Sequence, residues 1–208
     1  MESRSEHNQL DSDLAPENVH DKPPRIFHLQ ISAEEQEALT KKFEFDKPRE
    51  RSYVYFDTSA DSEHAMLFKN KVRLRIKTKG LVHTLELKTR GNVKNEVEDT
   101  LSAEEFQALL EGVFPDGKVK DTLSEQNLFF PVKPIDSSIS VRRGLAFHGG
   151  KLTLDQTTIN HRPEANYTLE FHSKGTFSDG EIQALLEELG VSNNPVKKNK
   201  LEKFWEGR

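Results

Sequence analysis

Charged side chains stand at every second position between residues 71 and 88. Arg73 and Arg75 alternate with aliphatic residues, and Glu86 and Lys88 do the same after an intervening turn. Because successive side chains of a β-strand point to opposite faces, this spacing predicts two strands with one apolar face and one ionic face. Guanidinium and ammonium groups bind phosphate and carboxylate strongly, so the ionic face has the residue types needed to hold an anion.

The same alternation recurs in several further segments. Their polar residues share one parity: Lys94, Glu96 and Glu98; Ser140 and Arg142; Lys151, Thr153 and Asp155; and Thr168, Glu170 and His172. If the strands form a closed barrel with the apolar faces outward beneath helices, the polar faces line an interior suited to a multiply charged anion. An open sheet with one solvated face has the same periodicity, so the pattern alone leaves both architectures open.

Length, charge and composition limit the class of protein. A chain of 208 residues with a net charge of −5 fits one domain, and its interspersed signs lack the basic stripe typical of nucleic-acid binding. The absence of cysteine excludes disulfides and thiolate chemistry, and no apolar run approaches the roughly 18 residues of a membrane span. We therefore expect a cytoplasmic protein with no membrane or nucleic-acid partner. Composition predicts a disordered tail at residues 1–23 and a single domain at residues 24–208.

Helix-capping patterns place helices between the predicted strands. Three segments, beginning at Ser32, Ser102 and Ser178, have the Ser-x-x-Glu spacing of a capping box, and Gly190 is placed to end the third helix. A short last helix at Asn199–Trp205 is predicted to return lysines to the mouth of the barrel. Helices of this kind can cover the apolar faces of the strands.

Several short motifs, taken in chain order, resemble those of one known family. They are Tyr55-Phe56-Asp57-Thr58, Arg73-x-Arg75, Leu85-Glu86-Leu87-Lys88, Lys94-x-Glu96-x-Glu98, Leu152-Thr153-Leu154-Asp155, Tyr167-Thr168-Leu169-Glu170 and Asn199-Lys200. Each motif is short, but their order and spacing over residues 25–205 resemble the CYTH superfamily of triphosphate tunnel metalloenzymes. That superfamily contains thiamine triphosphatases, inorganic triphosphatases and class IV adenylate cyclases.

The resemblance implies an α+β protein with a closed eight-stranded antiparallel β-barrel, or tunnel, and flanking helices. In the family, basic residues hold a linear triphosphate and carboxylates hold Mg²⁺ or Mn²⁺, which prefer oxygen ligands and activate bound water. Carried over by position, the phosphate ligands are Arg73, Arg75, Lys88, Arg142 and Lys200. The metal ligands are Glu98, Asp155 and Glu170, of which Glu98 and Glu170 are also the candidate catalytic carboxylates.

The first strand departs from the family pattern. Family members carry Glu-x-Glu-x-Lys there, whereas Pro24, Ile26 and His28 occupy those positions in this chain. Near the other end, Glu170 remains where the family has two or three alternating glutamates, and His172 follows it. The phosphate ligands are thus largely retained and the metal ligands depleted, which predicts weak metal binding and reduced activity. His28 and His172, on separate strands, are candidates for a substitute metal site, although a lone histidine is more often a hydrogen-bonded filler.

Three functions are compatible with these features. The first is a tunnel protein that binds, and in an active form hydrolyses, inorganic triphosphate, thiamine triphosphate or a nucleoside triphosphate. The second is a catalytically degenerate protein that binds or senses a phosphate ligand without metal. The third is a structural sheet module in which acids and bases neutralise one another.

Overall fold

The computed structural model describes residues 23–89, 96–128, 131–162, 164–197, 202 and 205. Its strands are β1 (Arg25–Ile31), β2 (Arg49–Asp57), β3 (Val72–Lys79), β4 (Val82–Thr89), β5 (Glu96–Leu101), β6 (Lys133–Phe147), β7 (Gly150–Ile159) and β8 (Asn166–His172). All eight belong to one sheet in the order β1-β8-β7-β6-β2-β3-β4-β5, and every neighbouring pair is antiparallel. The predicted antiparallel arrangement is therefore confirmed.

Five helices flank this sheet within the described ranges. They are α1 (Ala33–Lys42), α2 (Met66–Lys69), α3 (Ala103–Leu110), α4 (Lys118–Glu125) and α5 (Asp179–Leu189). The three predicted capping boxes are present at the starts of α1, α3 and α5, and Gly190 ends α5 in the left-handed conformation. Each box satisfies backbone N–H groups that the first helical turn leaves without partners.

Two apolar clusters join the helices to one face of the sheet. The first packs β1, β7 and β8 against α1 and α5, and includes Leu39, Leu169 and Leu186. The second packs β3, β4 and β5 against α2, α3 and α4, and includes Leu67 and Leu109. Burial of each such side chain contributes about 1.5–3 kcal/mol. The apolar parity of the strands thus faces the helices, as the alternation predicts.

The outer edge of β1 is covered by a later segment of the chain. Gln30 donates its N–H to the Asn194 carbonyl at 2.8 Å, and Val196 donates to the His28 carbonyl at 3.0 Å. Across the described strands, no hydrogen-bonded ladder joins β1 to β5. Eight antiparallel strands with flanking helices are therefore confirmed, whereas closure of the sheet into a barrel stays a prediction.

Some predicted features lie outside the described residues. These are residues 1–22 of the predicted tail, Lys94 of the fifth strand, and Lys200 with most of the predicted last helix. Of that helix, the structure describes Glu202 and Trp205, both helical. Trp205 is buried and stacks on Phe68 of α2 with ring centroids 4.9 Å apart. Trp205 therefore packs against the β2–β3 connection.

A search of the described helices finds none with the length and apolar character needed to span a membrane.

Candidate functional site

The face of the sheet opposite the helices is polar, and we call it the polar face. It carries those predicted charged residues that lie within the described ranges, together with Ser138, Ser140, Thr153 and Thr168, all four of which are buried. Two of its carboxylates, Glu86 and Asp155, are only 4% and 1% exposed. These side chains are therefore shielded from water on the face that the helices do not cover. The polar face is not uniformly solvated.

Arg75, Lys77 and Glu86 form the first charged cluster on the polar face. β3 and β4 bring them together because Arg75 lies directly opposite Glu86 in the ladder. Arg75 donates from Nε to Glu86 Oε2 at 2.6 Å, and Lys77 donates to Glu86 Oε1. The guanidinium also lies 4.2 Å from the centroid of the Tyr53 ring, a cation–π contact. Two cations thus share one buried carboxylate.

The charges of this cluster shift the pKa values of both partners. Burial by itself raises the pKa of Glu86, but the charge of Arg75 and the hydrogen bond from Lys77 outweigh it, so the pKa lies below its ordinary value. Burial opposes the charged form of Arg75, and the nearby Glu86 carboxylate reverses that effect and raises its pKa. Both groups are therefore charged at neutral pH.

Arg142 and Asp155 form the second charged cluster. They are directly opposed on β6 and β7. Arg142 donates from Nε to Asp155 Oδ1 at 2.7 Å and from its second terminal nitrogen to Oδ2, so the pair is bidentate. Burial lowers the pKa of Arg142, but the Asp155 hydrogen bond and charge, with Glu170 adding to them, raise it above its ordinary value. The pair leaves the guanidinium charged and fixed in direction.

Glu170 lies among basic groups from β1 and β8. Its Oε1 is 3.3 Å from His28 Nε2 and 3.5 Å from an Arg25 terminal nitrogen, and its Oε2 is 3.6 Å from His172 Nε2. His172 donates from Nδ1 to the Pro23 carbonyl at 3.0 Å. The two histidines therefore flank different oxygens of one carboxylate.

The remaining predicted side chains lie toward β5 and the start of β3. Lys88 donates to Glu96 at 2.6 Å, and both side chains are 31% exposed. Glu98 is 3.8 Å from Lys77 and 43% exposed. Arg73 lies opposite Lys88 in the ladder and helps to line a small cleft beside Trp205.

The predicted metal ligands are engaged separately in this arrangement. Asp155 gives both oxygens to Arg142, Glu170 is surrounded by basic groups, and Glu98 lies on the strand at the far end of the sheet order. Within the described ranges, no three His, Asp or Glu side chains form a group able to hold a metal ion. The residues as placed do not fit a shared Mg²⁺ or Mn²⁺ site. Their roles as metal ligands and as catalytic carboxylates stay predictions.

Two further polar-face residues are absent from the predicted ligand set. Lys77 belongs to the alternating pattern of β3, which was a usable signal, and it completes the Glu86 cluster. Arg51 has the same parity as Tyr53 and Tyr55 on β2, but the aromatic residues on that parity hid the ionic pattern. The polar face therefore carries more basic residues than the motifs indicate.

The strand order and the polar face can be compared with known proteins. A candidate adenylate cyclase from Bacillus halodurans matches 86% of this chain and 95% of its own length with 25% identity and a TM-score of 0.67. The chain has the CYTH fold. A candidate adenylyl cyclase from Hippeastrum, with a dominant triphosphatase activity, matches 88% of this chain and 95% of its own with 17% identity and a TM-score of 0.69. Neither a family model nor a curated protein sequence matches the chain.

The CYTH fold confirms the resemblance predicted from the motifs. In the strand order, β3, β4 and β5 on one side and β7 and β8 on the other carry charged motifs of this resemblance, whereas β1 lacks the family's glutamates. Fold likeness does not itself assign a ligand, because one fold hosts many functions. The ligand must therefore be argued from the residues on the polar face.

Proposed function

We propose that this CYTH-fold protein binds a short, multiply charged phosphate compound on its polar face without a catalytic divalent metal. The observation that supports the proposal is the placement of fixed basic groups, Arg75, Lys77 and Arg142, on a shielded face. Candidate ligands are inorganic triphosphate, thiamine triphosphate and a nucleoside triphosphate. The fold of the two matched cyclase-like proteins supports a ligand of this class.

The ion pairs on this face leave donors for a ligand. A guanidinium has five N–H donors, and in both arginine pairs the carboxylate is contacted through Nε and one terminal nitrogen. The other terminal nitrogen of Arg75 and of Arg142 therefore retains donors for phosphate oxygens. The carboxylates also hold the guanidinium groups in place before the ligand arrives, which reduces the entropy lost on binding.

The shielded setting strengthens attraction for a polyanion. A triphosphate near neutral pH carries about four negative charges, and charge interactions grow as the effective dielectric constant falls away from bulk water. Five carboxylates described on this face (Glu86, Glu96, Glu98, Asp155 and Glu170) offset basic charge, and six basic side chains stand against them: Arg51, Arg73, Arg75, Lys77, Lys88 and Arg142. A polyanion is thus a better match to this face than a neutral or cationic ligand.

The enclosed form of the site is part of the proposal. The sheet is expected to curl into a tunnel, with the segment Asn194–Val196 along the β1 edge and Trp205 against Phe68 near the β2–β3 end. A single domain at residues 24–208 is part of the proposal, and the attachment of both apolar clusters to one sheet supports it. Lys200, which lies outside the described residues, stays a predicted phosphate ligand.

Hydrolysis is the alternative outcome, and one experiment separates the two functions. Purified protein is melted with tripolyphosphate in the presence of a chelator and again with Mg²⁺ or Mn²⁺, and phosphate release is measured in parallel. The proposal predicts that tripolyphosphate raises the melting temperature under chelation and that little phosphate is released. Metal-dependent phosphate release that Glu170→Ala abolishes would instead establish an enzyme. If tripolyphosphate changes the melting temperature in neither condition, the result would instead support the third function, a structural sheet module.

A further inference from the structure

Arg51 lies between the two charged clusters on the polar face. It shares the parity of Tyr53 on β2 and lies directly opposite Ser140 on β6. Tyr53 in turn lies opposite Lys77, and Arg142 is two residues along β6 from Ser140. Lys77 and Arg142 are therefore both diagonal neighbours of Arg51, at about 7–8 Å by strand geometry. A linear anion that reaches both clusters passes Arg51.

The guanidinium of Arg51 has an unused donor. Its Nε is buried and has no hydrogen-bond partner among the described residues. A buried donor without an acceptor costs free energy, and native proteins seldom leave one in place unless a water, an ion or a ligand satisfies it. Nε itself is shielded, but Arg51 as a whole is only partly buried, so a ligand can reach part of this residue.

The immediate surroundings of Arg51 favour an anion as the missing acceptor. The hydroxyl groups of Ser140 and its neighbour Thr157 lie 3.3 Å apart at this level of the sheet; one donates to the other, and the accepting hydroxyl keeps its own O–H to donate to an anion. In the ladder, the flanking polar-face positions on β3 and β6 hold Lys77 and Arg142, which are basic. The carboxylates Glu86 and Asp155 lie beyond Lys77 and Arg142 and are already paired with those two residues.

We propose that Arg51, with the hydroxyl groups of Ser140 and Thr157, forms an anion subsite that binds the middle of a polyphosphate chain. This proposal rests on the proposed function and specifies how long the ligand must be. The anion must span the distance from the Arg75–Lys77 cluster to Arg142. A single orthophosphate can occupy one cluster at a time. The subsite therefore selects tripolyphosphate over orthophosphate.

The test uses Arg51→Met, with Arg143→Met as its matched control. Arg143 also has a buried nitrogen without a hydrogen-bond partner among the described residues, but it lies opposite Leu154 on the helix-covered face. Met keeps the apolar stem and removes the donors in both variants. Affinities for tripolyphosphate and orthophosphate are measured by titration calorimetry under chelation, and melting temperatures are measured without ligand.

Arg51→Met is expected to bind tripolyphosphate about 10- to 100-fold more weakly, because it loses one charge-assisted hydrogen bond. Its affinity for orthophosphate should change less. Its ligand-free melting temperature should equal or exceed that of the parent, because an unsatisfied donor is removed. Arg143→Met should bind both anions as the parent does. A merely structural Arg51 would instead lower the ligand-free melting temperature and leave affinity unchanged.

The outcomes separate this inference from the function on which it rests. If the parent protein does not bind tripolyphosphate, the proposed function itself fails. If the parent binds and Arg51→Met binds equally well, or if Arg143→Met is weakened to the same degree, the subsite is refuted while the proposed function stands.

Discussion

Replacing Glu86 by Gln separates the two roles of the buried carboxylate, which stabilises the fold and competes with the ligand. Glu86 is 4% exposed and accepts hydrogen bonds from Arg75 and Lys77. Removing one partner of a buried charge pair costs about 3–5 kcal/mol. At about 2–4 °C per kcal/mol for a domain of this size, the melting temperature should fall by roughly 10 °C.

The same substitution should strengthen ligand binding. Glu86→Gln keeps an amide oxygen that can still accept from Arg75 and hold it in place, but it removes the neutralising charge, so a polyanion meets a more positive face. Affinity for tripolyphosphate should rise about tenfold, and at saturating ligand this adds about 1.4 kcal/mol to the ligand-induced stabilisation. The assay is a melt of parent and variant with and without tripolyphosphate under chelation. The variant should melt lower alone and show the larger shift with ligand.

Glu96→Gln is the matched control for this experiment. Glu96 pairs with Lys88, but both side chains are 31% exposed, and ion pairs in contact with water contribute at most about 1 kcal/mol. This variant should melt within about 3 °C of the parent. Equal melting temperatures for Glu86→Gln and the parent, or a smaller ligand shift in Glu86→Gln, would refute the reasoning about the first cluster.

Two further predictions concern acid stability and a close backbone contact. The pKa of Glu86 lies below its ordinary value in the folded protein. Its contribution to stability is therefore fully present above the unfolded pKa of about 4.3 and is lost as the pH falls through the lower folded value. In melting curves from pH 7 to pH 3, the stability difference between parent and Glu86→Gln should shrink only below about pH 4.3, and a difference that already shrinks at pH 6 would contradict this. A Cβ at Gly150 would lie 2.4 Å from a backbone oxygen of β8, whereas one at Gly180 in α5 meets nothing within 4 Å. In urea unfolding, Gly150→Ala should therefore destabilise by about 1–3 kcal/mol and Gly180→Ala should stabilise by up to about 1 kcal/mol, and the opposite order would contradict the packing described.

Features encoded by local spacing were predictable from the sequence. The period of two in β3, β4, β7 and β8 identified both faces of the sheet, and the Ser-x-x-Glu spacing located the starts of α1, α3 and α5. These signals depend on contacts between residues a few positions apart, so one segment carries the whole pattern. The motif order then indicated the fold.

Features that depend on distant residues were not predictable in the same way. The N-cap residue of α4 is Gly117, which has no side chain to cap the helix, and Asp99 of β5 accepts from the N–H groups of Lys118 and Val119 instead. Asp57 of β2 does the same for α2 through Leu67. Such caps form only when the tertiary structure brings two distant segments together, so the residue spacing within either helix does not predict them.

The site was predicted as a set of residue types, and its pairing was not. Alternation identifies Arg75, Glu86, Arg142 and Asp155 as polar-face residues, but which cation contacts which carboxylate depends on strand register. Register also decides that Asp155 and Glu170 are engaged by basic groups, an arrangement that the motif comparison alone would read as metal ligation.

Calorimetric titration of the parent protein with tripolyphosphate under chelation is the most direct test of the central claim, that basic groups on the shielded face bind a polyanion without metal. The comparison variant is Arg75→Gln combined with Arg142→Gln, which removes one guanidinium from each cluster. We expect saturable binding to the parent and an affinity about 100-fold or more lower in the variant, because each lost charge-assisted hydrogen bond contributes about 1.5–3 kcal/mol. Binding that requires added Mg²⁺, or equal affinity in parent and variant, would contradict it.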